Sequence, residues 1–229
     1  MSELYLVRHG QASLGAANYD QLSPLGFEQS HALGEHFARR DIGFDMLYTG
    51  TMARHRQTLD AIAERVDLSG GERAEHAGLN EYDFQALVRS YAAQQPNDPL
   101  VQSAHSNPAD SKAHYRLLRV ALLAWSRGEL DDVPESHIQF IERVNRVSAD
   151  LQAQADSGSR ILAISSGGAI ARFVGSLLAL APEKVFELNL QARNTGVSQF
   201  FFNAHKYNLL QFNGIAHLEH PERTSLISF

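Results

Sequence analysis

Leu4-Tyr5-Leu6-Val7-Arg8-His9-Gly10 decides how the rest of the chain is read. Leu4 to Val7 is a short apolar run of strand formers without polar alternation, the pattern of a strand buried on both faces. Arginine, histidine and glycine follow at once, so the strand opens into a loop that carries a fixed cation and a titratable base.

Outward from that strand the order of elements repeats. Ser23-Pro24 supplies an N-cap hydroxyl and a proline for the first helical turn, and Leu25, Phe27, Ala32, Leu33 and Phe37 fall roughly on one face, which predicts a helix from Ser23 to Arg39. Asp45 to Thr49 reads as a second strand and Thr51 to Val66 as the helix after it. From about Tyr82 to Val133 no strand pattern occurs. Gln94 to Pro99 and Ser106-Asn107-Pro108 are breakers between helical segments such as Tyr115 to Trp125, so this stretch is expected as a helical excursion beside the sheet. Leu117, Leu118, Leu122, Leu123 and Trp125 are spaced as a core-facing stripe and carry no chemistry.

Pro134-Glu135-Ser136 begins a helix that runs to about Gln154, and Arg160 to Ile164 is the strongest strand of the second half. Ser165-Ser166-Gly167-Gly168 then leads into an apolar helix. Val197 to Phe202 and Leu209 to Phe212, separated by Asn203-Ala204-His205-Lys206, read as a closing hairpin that gives the sheet an antiparallel edge.

A chain of 229 residues is long enough for one large α/β domain, expected to span 1–229. The net charge of -6 provides no basic field for gripping a phosphate backbone, which argues against a nucleic-acid partner. Cysteine is absent, so disulfides, thiolate catalysis and cysteine-ligated metals are excluded. Met1 to Arg8 holds an acid and an interrupting arginine, unlike a signal peptide or a membrane span, and a cytoplasmic location is expected.

In open α/β sheets ligands bind beyond the carboxyl ends of the strands, and three such ends carry polar groups here: Arg8-His9-Gly10, Thr49 to Arg54, and Ser165 to Gly168. A neutral histidine attacks phosphorus through one ring nitrogen when the other is held as a donor, which suits His9. Phosphoryl transfer asks mainly for positioning and positive charge around the equatorial oxygens, and Arg8 and Arg54 are the candidates for that.

Leu6-Val7-Arg8-His9-Gly10-Gln11, followed by Leu22-Ser23-Pro24-Leu25-Gly26 and by Thr49-Gly50-Thr51-Met52-Ala53-Arg54-His55-Arg56-Gln57-Thr58, resembles the histidine phosphatase superfamily, which includes the cofactor-dependent phosphoglycerate mutases. The resemblance implies phosphate binding by Arg54. Leu79-Asn80-Glu81-Tyr82-Asp83-Phe84 is similar to the stretch that holds the family's acid, which implies that Glu81 protonates the leaving oxygen and later activates water. Pro134-Glu135-Ser136, with Arg143 downstream, is similar to a late helix of the family, and Asn194 to a position near its phosphate pocket. Arg56 is expected on the exposed face of its helix. The fold expected is a three-layer α/β sandwich: a mostly parallel central sheet with an antiparallel edge, helices on both faces, and a helical insertion at about 85–133.

One position departs from the family. Most members carry a second histidine after the later strand, in a Ser-His-Gly-Gly pattern, where this chain has Ser166. Serine keeps a neutral hydroxyl donor, and the amides of Gly167 and Gly168 at the head of a helix suit an anion. A charged hydrogen bond contributes roughly 1.5 to 3 kcal/mol against about 1 for a neutral one. Such a deficit slows a chemical step on the order of 5- to 30-fold. His217, in the C-terminal segment, is a candidate to replace the missing imidazole, while His217 and His220 lack the spacing of a metal set.

The reading that results is a phosphomonoester hydrolase working through a phosphohistidine at His9. Its substrate is a small phosphorylated molecule or a phosphoprotein, it needs neither metal nor organic cofactor, and residues of about 85–133 set its specificity. A phosphoglycerate-type mutase shares the chemistry. A phosphate- or partner-binding module without turnover is the reading of another class, motivated by Ser166.

Overall fold

The computed structural model of the chain describes residues 1–13 and 20–229. Its frame is one six-stranded sheet in the order β3-β2-β4-β1-β5-β6. The strands are β1 (Ser2–Arg8), β2 (Met46–Thr49), β3 (Glu72–Glu75), β4 (Arg160–Ser165), β5 (Val197–Phe202) and β6 (Tyr207–Gly214). β3, β2, β4 and β1 run parallel, whereas β5 is antiparallel to β1 and pairs with β6 as a hairpin. Arg8 lies opposite Ser165 and Thr49 opposite Ile164, so the carboxyl ends of β1, β2 and β4 finish level with one another.

Alternation along the strands builds two cores. Leu4 and Leu6 of β1, with Ile161 and Ala163 of β4, face Phe140, Val144, Ile170, Phe173 and Trp125. Tyr5 and Val7, with Leu162 and Ile164, face Leu33, Phe37, Leu59 and Ile62. The first face is covered by α6 (His137–Gln154) and α7 (Gly167–Leu177), the second by α1 (Pro24–Arg39) and α2 (Ala53–Ala63). Helices on both faces of the sheet make the expected three-layer sandwich. Each fully buried leucine or valine of β1 contributes about 1.5 to 3 kcal/mol through the apolar surface it removes from water.

The excursion consists of α3 (Phe84–Gln94), α4 (Pro99–Ser106) and α5 (Ser111–Ser126). Each begins at an aspartate whose carboxylate accepts a main-chain N–H of the first turn: Asp83 from Ala86 at 2.8 Å, Asp98 from Leu100 at 2.7 Å and Asp110 from Lys112 at 2.9 Å. Those caps, together with the intervening prolines, explain why the segment breaks into short helices. At α1 the hydroxyl of Ser23 accepts Gly26 N–H over 3.1 Å, as its place before Pro24 predicts. At α6, Ser136 and Gln139 form a reciprocal capping box.

Three elements differ from the sequence reading. α2 stops at Ala63 instead of Val66. β3, with the sequence Glu72-Arg73-Ala74-Glu75, has no apolar pattern because it is the outer edge of the sheet, where charged side chains meet water and discourage further pairing. α8 (Pro182–Leu190), which follows α7 and buries Val185 and Phe186, is a further helix that the reading did not contain. Among the described residues no helix is long and apolar enough to cross a membrane.

Candidate active site

At the end of β1 the main chain is held on both sides. His9 N–H donates to Ser165 O at 2.9 Å, Arg8 N–H to Gly196 O at 3.1 Å, and Thr195 N–H to Arg8 O at 3.0 Å. His9 as a whole residue is only 5 % exposed. Its Nδ1 is 2.7 Å from Gly10 O. A carbonyl only accepts, so Nδ1 carries the proton and Nε2 keeps its lone pair. Burial, reinforced by the positive charge of Arg54 and then by His55 and Arg8, holds the ring's pKa well below its ordinary value, and the imidazole is neutral around pH 7. Arg54 Nε donates to this Nε2 over 3.1 Å.

α2 fixes Arg54 through its neighbours in the sequence motif. The hydroxyl of Thr58 donates to Arg54 O at 2.7 Å and accepts Gly10 N–H at 3.0 Å, while Gln57 Oε1 accepts Leu22 N–H at 2.8 Å. Helix α2 is thereby laced to the loop after β1. That loop also needs glycine at position 10, since a Cβ there would lie 2.4 Å from Gly26 O. Asp20, which sequence reasoning did not single out, accepts Arg54 Nη1 at 2.8 Å through one oxygen and Ala53 N–H at 2.9 Å through the other. Arg56 faces outward, as expected, and pairs with Glu75 over 2.6 and 2.8 Å.

Glu81 reaches the same region from the segment after β3. Ser165 Oγ donates to Leu79 O at 2.7 Å, and Arg143, itself clamped by Glu135 at 2.6 and 2.9 Å, donates to Gly78 O and Asn80 O at 3.1 and 2.7 Å. The similarity noted at Glu135 and Arg143 thus corresponds to a brace for the backbone before Glu81. Its carboxylate accepts Gly168 N–H at 2.9 Å and Tyr82 N–H at 3.3 Å. Residue 81 is partly exposed, yet desolvation of its carboxyl group pushes the pKa up, against the opposing pull of the Gly168 amide and of the Arg54 and Arg8 charges.

The head of α7 closes the ring of groups. A Cβ at Gly167 would lie 3.6 Å from Arg8 Nε, which places this turn against the arginine. Ser166 is fully buried, its Oγ 2.7 Å from Nε2 of His55. Asn194 is also buried. It donates from Nδ2 to His9 O at 3.2 Å and accepts from Ser228 Oγ at 2.9 Å, so it braces the backbone at His9. A cavity of about 300 Å³ opens over Arg8, His9, Gln11, Ser23, Asn194 and Phe229.

His217 is not in this group. Its Nε2 lies 2.8 Å from Thr195 Oγ1, and its ring faces a different hollow shared with Tyr5, His36 and Phe37. Among the described residues, its side-chain link toward the strand end runs through Thr195. The imidazole that does enter is His55, fully buried, with its ring centroid 5.5 Å from that of His9. The signal was its place directly after Arg54, at a position where a helix turns the next side chain by about 100°. Among the described residues, no three His, Asp or Glu side chains gather as metal ligands.

Known proteins share this framework. A mutase of Rhizobium meliloti (strain 1021), 2,3-bisphosphoglycerate-dependent phosphoglycerate mutase, is 26% identical over 209 residues, which cover 86% of this chain and 88% of that protein. The structure of a phosphoserine phosphatase of Entamoeba histolytica in complex with 3-phosphoglyceric acid superposes with a TM-score of 0.65 at 22% identity, over 95% of this chain and all of the other. The structure of phosphoglycerate mutase from Bacillus anthracis str. Sterne does so with a TM-score of 0.67 at 17% identity, over 94% of each. The family model for the histidine phosphatase superfamily (branch 1) matches residues 4–214, from within β1 to the end of β6, and the chain belongs to that superfamily.

Proposed function

We propose that the chain is a phosphomonoester hydrolase that carries the phosphoryl group on Nε2 of His9. The observation behind this reading is the state of that ring: Nδ1 is tied to Gly10 O, and Nε2 is unprotonated and faced by a guanidinium. Nε2 forms the bond to phosphorus as the bond to the leaving oxygen breaks, and Glu81, whose carboxyl group is raised toward the protonated form, supplies the leaving group's proton. Arg54 releases Nε2 and turns its N–H groups, with those of Arg8, to the phosphoryl oxygens. The Glu81 carboxylate then takes a proton from water, which attacks phosphorus and returns the lone pair to Nε2. None of these steps draws on a metal or an organic cofactor.

A phosphomutase is the second reading, favoured by the mutase among the relatives aligned over more than four fifths of the chain. It differs in returning the phosphoryl group to substrate before water arrives. Substrate choice rests with α3 to α5, whose apolar groove of about 610 Å³, lined by Phe84, Val88, Tyr115 and Leu118, begins close to Glu81 in the chain. The test is to supply p-nitrophenyl phosphate, phosphoserine and 3-phosphoglycerate, the last with and without 2,3-bisphosphoglycerate. Release of inorganic phosphate that disappears in His9→Ala supports hydrolysis. Isomerisation of 3-phosphoglycerate without phosphate release replaces hydrolysis by the mutase, and no turnover of any of them leaves a binding module.

A further inference from the structure

His55 and Ser166 form a buried polar pair beside His9 that the steps above do not use. The ring of His55 is fully enclosed, with Nε2 2.7 Å from Ser166 Oγ and its centroid 5.5 Å from that of His9. Its Nδ1 has no hydrogen-bond partner among the described residues. That nitrogen is packed against Gly50, where a Cβ would approach it to 2.2 Å, so the chain gives up a side chain at position 50 to admit the ring. An apolar residue at position 55 would avoid an unmatched buried polar atom, and its presence therefore calls for a use.

Two proton arrangements join the pair. Burial, with the charges of Arg54 and Arg56, keeps the His55 ring neutral, so it holds one ring proton. With that proton on Nδ1, a buried N–H faces no acceptor, and Ser166 spends its hydrogen on Nε2 and offers an anion only lone pairs. With the proton on Nε2, His55 donates to Ser166 Oγ, and the serine hydrogen is available to a neighbour. An anion at His9 selects the second arrangement, because phosphoryl oxygens accept and do not donate.

We propose that His55 and Ser166 act as one donor to the phosphoryl group, the His55 Nε2–H orienting the serine so that its hydroxyl hydrogen meets a phosphoryl oxygen. Ser166 is the group that touches substrate and His55 is a positioning residue. The imidazole comes from α2 instead of from the head of α7, which accounts for serine in the Ser165-Ser166-Gly167-Gly168 turn. The inference rests on the phosphohistidine reading of His9.

The test is steady-state turnover of p-nitrophenyl phosphate by wild type, His9→Ala, Ser166→Ala, His55→Ala, His55→Gln and the double alanine variant, with a thermal melt of each. Ser166→Ala and His55→Ala are each expected to lower kcat about 10- to 30-fold with little change in KM, and the double variant to fall no further than the worse single one, since the two residues act as a unit. His55→Gln, which keeps an N–H donor, is expected to retain kcat within about threefold of wild type. If His55→Ala melts too low to assay, Ser166→Ala and His55→Gln carry the comparison. Turnover that is lost in His9→Ala but kept in Ser166→Ala, or losses that multiply in the double variant, would overturn this inference alone. A wild type without turnover, or turnover that survives His9→Ala, would overturn the phosphohistidine reading and this inference with it.

Discussion

Arg54 rests a guanidinium N–H on Nε2 of His9, 3.1 Å away, so the nitrogen proposed as the nucleophile is covered by the cation proposed to hold the phosphoryl group. The contact needs an unprotonated Nε2, and the nearby charge keeps it so. In the proposed mechanism an incoming anion takes the donor and uncovers the lone pair in one exchange.

Removing the cation tests both parts of that relationship. Arg54→Ala is expected to lower kcat about 10²- to 10³-fold, the effect of deleting one preorganised donor to developing negative charge. It also removes the largest charge contribution that holds the His9 ring down. NMR titration of the ring is therefore expected to show its pKa higher in the variant than in wild type.

Asp20 is expected to matter through geometry. It holds both Arg54 Nη1 and the N–H of Ala53. Asp20→Ala frees the guanidinium to sample other rotamers and is expected to lower kcat about tenfold, since small misplacement of a positioning group is costly. An Asp20→Ala enzyme with wild-type kcat would show that α2 alone orients Arg54.

The pH dependence follows from two shifts of opposite sense. His9 is lowered, so it stays unprotonated into the mildly acidic range and loses activity only well below its ordinary value. Glu81 is raised, so its proton is retained further up the scale and lost as pH rises through that raised value. For p-nitrophenyl phosphate with catalytic phosphate release, kcat/KM is expected to be greatest on the acidic side and to decline toward alkaline pH. Glu81→Gln is expected to flatten that decline and to lower the rate about 10²- to 10⁴-fold.

His217 is a structural counterpart to these residues. It supports Thr195, which has a positive φ of 55° and whose N–H binds the carbonyl of Arg8. Burial, with His36 and Arg223 nearby, lowers its pKa to about 3 from an ordinary 6.5. Unfolding in that interval takes up a proton, so stability is full above pH 6.5 and falls as pH is lowered toward 3. His137, lowered to about 4, adds in the same sense. Melting temperature is expected to drop steadily between pH 7 and 4, and less steeply in His217→Gln. His217→Ala is expected to cost about 2 to 4 kcal/mol at neutral pH.

Sheet and helices were legible where burial leaves a pattern. β1, β2, β4 and the hairpin are apolar runs, and α1 and α6 are announced by Ser23-Pro24 and Ser136. β3 was not legible, because an edge strand of Glu72, Arg73, Ala74 and Glu75 gains its place from pairing with β2 and not from its own side chains. At the site, His9, Arg8 and Arg54 stand at strand ends with a chemical reason to converge, whereas Glu81 is marked only by the family resemblance of its stretch. His55 and Asp20 had neither signal, since their part depends on which way α2 turns and on a loop contact across 34 residues. His217, chosen for its residue type and its place in the tail, faces another hollow, because nothing in its local sequence states which side of β5 and β6 the chain returns on.

The proposed reaction passes through a covalent bond between phosphorus and Nε2 of His9. Rapid quench of the enzyme during turnover of a radiolabelled phosphomonoester, with alkaline digestion and peptide mapping, measures it. Acid-labile, alkali-stable label is expected on the peptide that contains His9, lost in His9→Ala and retained longer in Glu81→Gln. Turnover with no acid-labile label, or label that persists in His9→Ala, would contradict it.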